Sequence, residues 1–460
     1  MGRQTYRQWI LAAVAAGSLA VAAGSVRAQT LADTLVAAYT NSGLLEQNRA
    51  LVRAADEDVA QAVARLRPII NYVAEAGYAY STAIPGGGNV ASNFSLAATW
   101  LLYDFGQSQL RIDLQKEVVL ATREQLLAIE QQVLLRAVAA YVSVLQAAAL
   151  VDLAENNLRV LGEQLRADTD RFEVGEITRT DVSLTESRVA AALSQLEAAR
   201  GQFELAREEY RSATGIDATN LAPPPGPPAI PATPDEALAI ARQRQPQLRQ
   251  AQRQVTVAEI GIQLAQASMR PSLNLSARAS VDDDFEQSSS LGIQLSGPIY
   301  QGGQIASSIR RAQAQRDAAR GALINTQFLT DQAVANSYVN LNVANAQITA
   351  IDAQVEASRL TLEGAREEQA LGARTTLDVL IFEQDLLNAQ TDRVTATADR
   401  FTAYFQVLTS IGLLTVQNLG LNVPIYDPAA YYNAVRNAPT TYVSPQGEKL
   451  DRVLRSIGRN

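Results

Sequence analysis

The chemistry open to this chain is that of carboxylates and guanidiniums, because its 460 residues include neither His nor Cys. Two aspartates stand out by their setting. Asp181 lies in VGEITRTDV, residues 174–182, and Asp378 holds the same place in LGARTTLDV, residues 371–379. Each follows a threonine by three residues, Thr178 and Thr375. That is the spacing of a capping box, in which a carboxylate and a hydroxyl satisfy free N–H groups at a helix start. Only the second stretch carries an arginine at its fourth position, Arg374, where the first has Ile177. A cap does not need that arginine, and one exposed ion pair is worth only about 0–1 kcal/mol.

Other chemistries lack their residues. Without Cys there is no disulfide, thiolate ligand, cysteine nucleophile or lipid-modified Cys. Without His the usual general base and the commonest metal ligand are missing. Carboxylate-only catalysis is formally open, but no Gly-rich phosphate loop or nucleophile elbow is present. No enzymatic activity, cofactor or metal site is expected.

Arg3 and Arg7 precede an apolar run, Ile10 to Ala23, that ends in small residues near Ala28. This is the pattern of a secretory signal peptide. The alternative, a membrane anchor, needs about 20 apolar residues against the roughly 14 here. Loss of Arg3, Arg7 and Arg27 takes the formal charge from -8 to -11. So acidic a chain is not expected to bind nucleic acid. No later segment reads as a spanning helix, although β-strands could cross a bilayer with a weaker signal.

The two aspartate turns belong to a longer repetition. Thr30, Leu35, Ala38, Leu45 and Pro68 recur at one constant offset as Thr233, Leu238, Ala241, Leu248 and Pro271. After one register change, Tyr103, Gly106, Tyr141, Gly175 and Asp181 recur as Tyr300, Gly303, Tyr338, Gly372 and Asp378. This reads as a tandem duplication. The segments are a signal peptide (1–28), a first repeat (29–216), a Pro-rich linker (217–234), a second repeat (235–413) and a C-terminal strap and tail (414–460). The strap, NVPIYDPAAYYNAV, reads as irregular.

Each repeat reads as helix, β-hairpin, long helix, turn and helix. Residues 31–66 and 235–269 suit helices. Alternation then takes over: Ile70, Tyr72, Ala74, Ala76, Tyr78 and Tyr80 share one strand face, as do Phe94, Leu96, Ala98, Trp100 and Leu102. Leu273, Leu275, Ala277, Ala279 and Val281 repeat the pattern, followed by Leu291, Ile293 and Leu295. Period two with one apolar face predicts strands. Four strands of about ten residues fit a tilted bilayer crossing. Four cannot close a barrel alone, because single-chain barrels begin at about eight. The pattern leaves two readings open, a small soluble sheet or strands that span once several chains supply one barrel. Residues 107–171 and 304–369 contain no proline and predict helices on the order of 95 Å long. On the first, Leu120, Leu127, Leu134 and Tyr141 step by seven beside Val119, Leu126, Val133 and Ala140. Two adjacent apolar columns fit a helix with neighbours on both sides.

The duplication, Arg67-Pro68 and Arg270-Pro271 before the hairpins, the junctions LYDFGQ and IYQGGQ, and the paired turns together resemble the TolC family of outer-membrane exit ducts over residues 30–415. The resemblance implies an α+β membrane protein: a homotrimer with one 12-stranded β-barrel, four strands per chain, continued by a long α-helical barrel in the periplasm. It implies strand–helix junctions at Pro68, Gly106, Pro271 and Gly303. It also implies adaptor-contacting tips at Val174, Gly175, Leu371 and Gly372. Asp181, Arg374 and Asp378 match a periplasmic gate, and Asp378 an acidic position that narrows the entrance and binds cations. The implied partners are outer-membrane lipid, a periplasmic adaptor protein and an inner-membrane ABC or proton-driven transporter. The cargo would be exported proteins or small toxic compounds. Two positions depart from the family pattern: Ile381 replaces a second acidic residue, and Gln369 a tyrosine near the second turn. The competing readings are a soluble periplasmic coiled-coil scaffold with a small β-domain and, more weakly, a diffusion porin.

Overall fold

The computed structural model describes residues 28–80 and 88–440, with side chains apart from those of residues 79, 80, 88 and 89. The signal-peptide reading, most of the first hairpin turn and the polar tail fall outside those residues.

One order of elements occurs twice. Helices α1 (Leu31–Asn41) and α2 (Gly43–Ala64) precede strands β1 (Ile69–Tyr80) and β2 (Gly88–Tyr103), then helices α3 (Gln107–Glu173) and α4 (Arg179–Thr214). The second pass runs α5 (Pro234–Arg244), α6 (Pro246–Ala267), β3 (Ser272–Asp282), β4 (Gln287–Ser296), α7 (Gln304–Ala370) and α8 (Thr376–Ser410). A short helix, α9 (Pro428–Val435), follows where the sequence reads as an irregular strap. Asp427 caps it by accepting a hydrogen bond from the Ala429 N–H, and Pro428 occupies a first-turn position where no N–H is needed.

The opening helix of each repeat is broken in two, which hydrophobic period alone did not predict. Ser42 adopts an extended backbone and accepts from the Leu45 N–H, starting α2 afresh. Pro246 holds Gln245 extended (ψ 117) and opens α6. Helices α3 and α7 run unbroken for 67 residues each. On α3 the column Val119, Leu126, Val133 and Ala140 is buried within the single chain; beside it Leu134 and Tyr141 are buried but Leu120 and Leu127 only partly so. Contrary to the sequence reading, α3 holds an 18-residue window apolar enough by composition to span a membrane. Half of that window is buried against protein, as in a packed core helix.

The chain divides into two compact units. The unit of residues 28–41, 134–229 and 341–405 holds α1, α4 and both aspartate turns. Its interior includes the Thr34–Tyr210 hydroxyl pair at 2.9 Å. Tyr141 also donates to the Ala222 carbonyl at the start of the Pro-rich linker, at 2.6 Å. The other unit, residues 42–133, 230–340 and 406–440, holds the sheet. There Tyr338, the repeat equivalent of Tyr141, donates to Pro231 O at 2.8 Å. Each repeat thus ties the linker down with the same tyrosine.

The sheet is antiparallel in the order β1-β2-β3-β4. Its register puts Tyr72 beside Leu96, Leu96 beside Ala279, and Ala277 beside Leu291. Because side chains alternate, one face collects Tyr72, Tyr78, Phe94, Leu96, Trp100, Leu291, Ile293 and Leu295, all exposed. The opposite face collects Asn71, Glu75, Asn93, Ser95, Thr99, Asn274, Ser276, Arg278, Ser290 and Gln294. Among the described residues β1 and β4 have no partner on their outer edges.

Candidate functional site

The two aspartate turns are built alike, and the backbone explains the repeated glycine. Helix α3 ends in a Schellman turn: the Gly175 N–H donates to Phe172 O and the Glu176 N–H to Arg171 O, each at 2.9 Å. Gly372 and Ala373 do the same at the end of α7, donating to Gln369 O and Glu368 O at 2.9 Å. Gly175 has φ +82 and Gly372 φ +78, left-handed values that cost a residue with a Cβ on the order of 1 kcal/mol. Val174 and Leu371 beside them are 73% and 86% exposed, apolar side chains presented to the surroundings.

The next helix starts in each case from a reciprocal cap. Asp181 accepts from the Thr178 N–H at 2.9 Å and hydroxyl at 2.7 Å, while its own N–H donates to Thr178 Oγ1. Asp378 and Thr375 repeat this at 3.1, 2.8 and 3.2 Å. Hydrogen bonds from Thr178 hold the Asp181 carboxyl below the usual carboxylate range, and those from Thr375 do the same for Asp378, with Arg374 adding to the effect.

The charges differ between the turns. Arg374 Nε donates to Glu368 at 2.5 Å, which holds its guanidinium pKa up, and the guanidinium sits over the Phe382 ring, 5.4 Å from the centroid. In the first turn Arg171 takes the place of Glu368 and donates to Glu176 at 3.2 Å. Both turns therefore carry one ion pair from the last helical turn to the loop, with opposite polarity. No hydrogen bond or ion pair joins Arg374 to Asp181 among the described residues. Glu368, Arg171 and Glu176 were not singled out from sequence; aligning the repeats sets Arg171 against Glu368, and that charge reversal is the signal.

Behind the turns, packing fixes the hairpins. Leu380 of α8 packs with Leu161 of α3 and Ala192 of α4, bringing both hairpins into one core. Asp168 is fully buried, accepting from Thr185 Oγ1 at 2.7 Å and Gln164 Nε2 at 2.8 Å. In the second hairpin the equivalent places are Ala365 and Phe382, packed with Leu362, Val379 and Leu386. There Arg366 donates to Glu383 at 2.6 Å, and Gln369 donates to Thr376 at 3.2 Å.

The junction residues lie in the sheet-bearing unit. Gly106 and Gly303 carry φ +89 and +87 at the starts of α3 and α7. Asp104 accepts from the Ser108 N–H at 2.6 Å. Arg270, before Pro271, donates to Phe105 O at 2.5 Å. Arg67, before Pro68, donates to the carbonyls of Asn437 and Ala438 in the strap.

Comparison with known proteins agrees with this architecture. The sequence profile described as outer membrane efflux protein matches residues 34–216 and 237–421. Outer membrane efflux protein BepC of Brucella suis biovar 1 (strain 1330) is 32% identical over 450 residues, covering 96% of this chain and 98% of BepC. Outer membrane protein TolC of Escherichia coli (strain K12) is 25% identical over 444 residues, 89% of this chain and 88% of TolC. The fold matches the crystal structure of the CmeC outer membrane channel of Campylobacter jejuni with a TM-score of 0.73 at 15% identity, over 90% of each chain. These relatives do not favour the periplasmic-scaffold alternative. With most of the chain matched by the family profile and a full-length relative near one-third identity, the chain belongs to the outer membrane efflux protein family, to which its likeness to TolC pointed, and is an outer-membrane exit duct.

Proposed function

We propose that three copies of this chain, itself a tandem duplication, close one 12-stranded barrel in the outer membrane, and that their long helices continue it as a periplasmic duct. The observation that carries this reading is a four-stranded sheet with two unpaired edges, one apolar exposed face and one polar face. In lipid an unpaired edge leaves backbone groups unsatisfied at several kcal/mol each, so the edges have to meet those of other chains. The strands have 12, 16, 11 and 10 residues, enough to cross a bilayer at a tilt.

The aspartate turns are the proposed periplasmic end. Val174, Gly175, Leu371 and Gly372 offer apolar, sharply turned surface to an adaptor protein. Arg374, Asp181 and Asp378 restrict the entrance, and an adaptor working with an inner-membrane ABC or proton-driven transporter opens it. The cargo is exported protein or small toxic compounds; BepC, by its name an efflux protein, supports the second. Arg374 restrains the tip through Glu368 and Phe382 within its own chain as well as through neighbouring acids.

The test is single-channel recording from detergent-purified protein, with its mass in detergent measured by light scattering. A trimer giving small steps that grow severalfold in Arg374→Ser is expected. A folded monomer, or a trimer that conducts nothing, removes the duct; equal steps keep the duct and remove Arg374 from the gate.

A further inference from the structure

The charged residues of the four strands are Glu75, Arg278 and Asp282, and the register places all three on the polar face. Glu75 pairs with Asn93 and Asn93 with Asp282, so the two acids share one row across three strands. Arg278 stands four residues further from the β3–β4 turn, about 14 Å along the strand. Its own row is Asn71, Ala97 and Ser290, and its guanidinium reaches out of that row toward the acidic one. Its Nη2 donates to Ser95 Oγ at 3.3 Å, and Ser95 is 1% exposed beneath it. The strands hold no second cation with which to share the charge.

An arginine in a spanning strand is costly on a lipid face, by about 2–4 kcal/mol at mid-depth, and a lumen is where it does its work. We propose that Arg278 is a charge-selectivity residue of the barrel: three copies form a basic belt that small cations must pass behind the acidic Glu75–Asp282 row. This rests on the trimeric-duct reading given above. Rings of like charge lining a pore discriminate ions by sign, and the low-dielectric wall around them strengthens the field. A solute meets acid and base in sequence, and removing the belt leaves the acids unopposed.

The experiment is the reversal potential of the purified full-length protein in a planar bilayer across a potassium chloride gradient. Arg278→Gln should raise the cation-to-anion permeability ratio roughly two- to fivefold, as expected for a unit charge within about 7 Å of the ion path. Arg278→Lys should keep the wild-type ratio, which separates charge from the Ser95 hydrogen bond. The difference between wild type and Arg278→Gln should shrink as salt rises from about 0.1 M to 1 M, because screening shortens to about 3 Å. Conducting Arg278→Gln channels with the wild-type ratio would overturn the inference. If that variant forms no channels, Arg278→Ser is read in its place, and a wild-type ratio there overturns the inference equally. Wild-type protein that never conducts refutes the duct itself, a result distinct from either.

Discussion

At the scale of single residues, the aspartate turns show why local chemistry is legible in a sequence and longer reach is not. Thr178 with Asp181, and Thr375 with Asp378, act across three residues, so spacing alone reveals the cap. Arg374 meets Glu368 only because the Schellman turn folds six residues of chain back on themselves, and sequence spacing does not display that. Thr178→Ala should cost about 1 kcal/mol of local stability, read as faster hydrogen exchange in the first turn of α4. The acids add a pH dependence with a definite sign. Their folded pKa values lie below the unfolded ones, so their stabilisation is complete above about pH 4 and is lost as pH falls through the folded values. Exchange at both turns, corrected for the intrinsic rate, should accelerate only below that pH; acceleration between pH 5 and 7 would require another titrating group.

Among the elements, the strap is the part whose form the sequence hid. Its helix α9 is stitched to α2 and α3 by contacts from residues hundreds of positions away. Tyr431 fills a core with Ala60, Val435 and Ala438 and donates to Glu57 at 2.7 Å. Arg123 reaches the Pro428 carbonyl, the Tyr432 ring and Asp56. Tyr431→Ala should cost about 3 kcal/mol and free the strap to limited proteolysis while the sheet stays paired. Burial lifts the Asp56 carboxyl to about 6, against the pull of Arg123 and with a smaller push from Glu57. A folded pKa above the unfolded one means that ionisation opposes folding. Strap stability should therefore fall as pH rises from about 4 through 6, seen as weaker exchange protection of α9 at pH 8 than at pH 5. The split of each opening helix escaped the sequence reading for another reason. Ser42 and Pro246 sit inside runs with helical period, and only the backbone angles of Ser42 and Gln245 reveal the break.

For the whole molecule, the strand pattern was legible because alternation records which face is apolar, whether water or lipid lies beyond it. What lies beyond was not legible, since a soluble sheet has the same period. The structure adds that the apolar face is left exposed, with Ile293 at 68% and Tyr72 at 74%. On the proposed trimeric barrel, Ile293→Arg should cost roughly 2–4 kcal/mol and abolish detergent-stable assembly, whereas Gln294→Arg on the opposite face should leave it intact. If both variants assembled equally, that face would not be lipid-facing.

The ladder between β2 and β3 sets a timetable for the chain as it is made and exported. Phe94 pairs with Val281, so the first hairpin is translated long before its central neighbour exists. At the usual rate of synthesis that wait is about 10–40 s, spent with exposed aromatic side chains and no third strand beside them. High contact order of this kind slows folding and exposes the nascent chain to aggregation. The segment left longest without its central partner is residues 69–80 and 88–103.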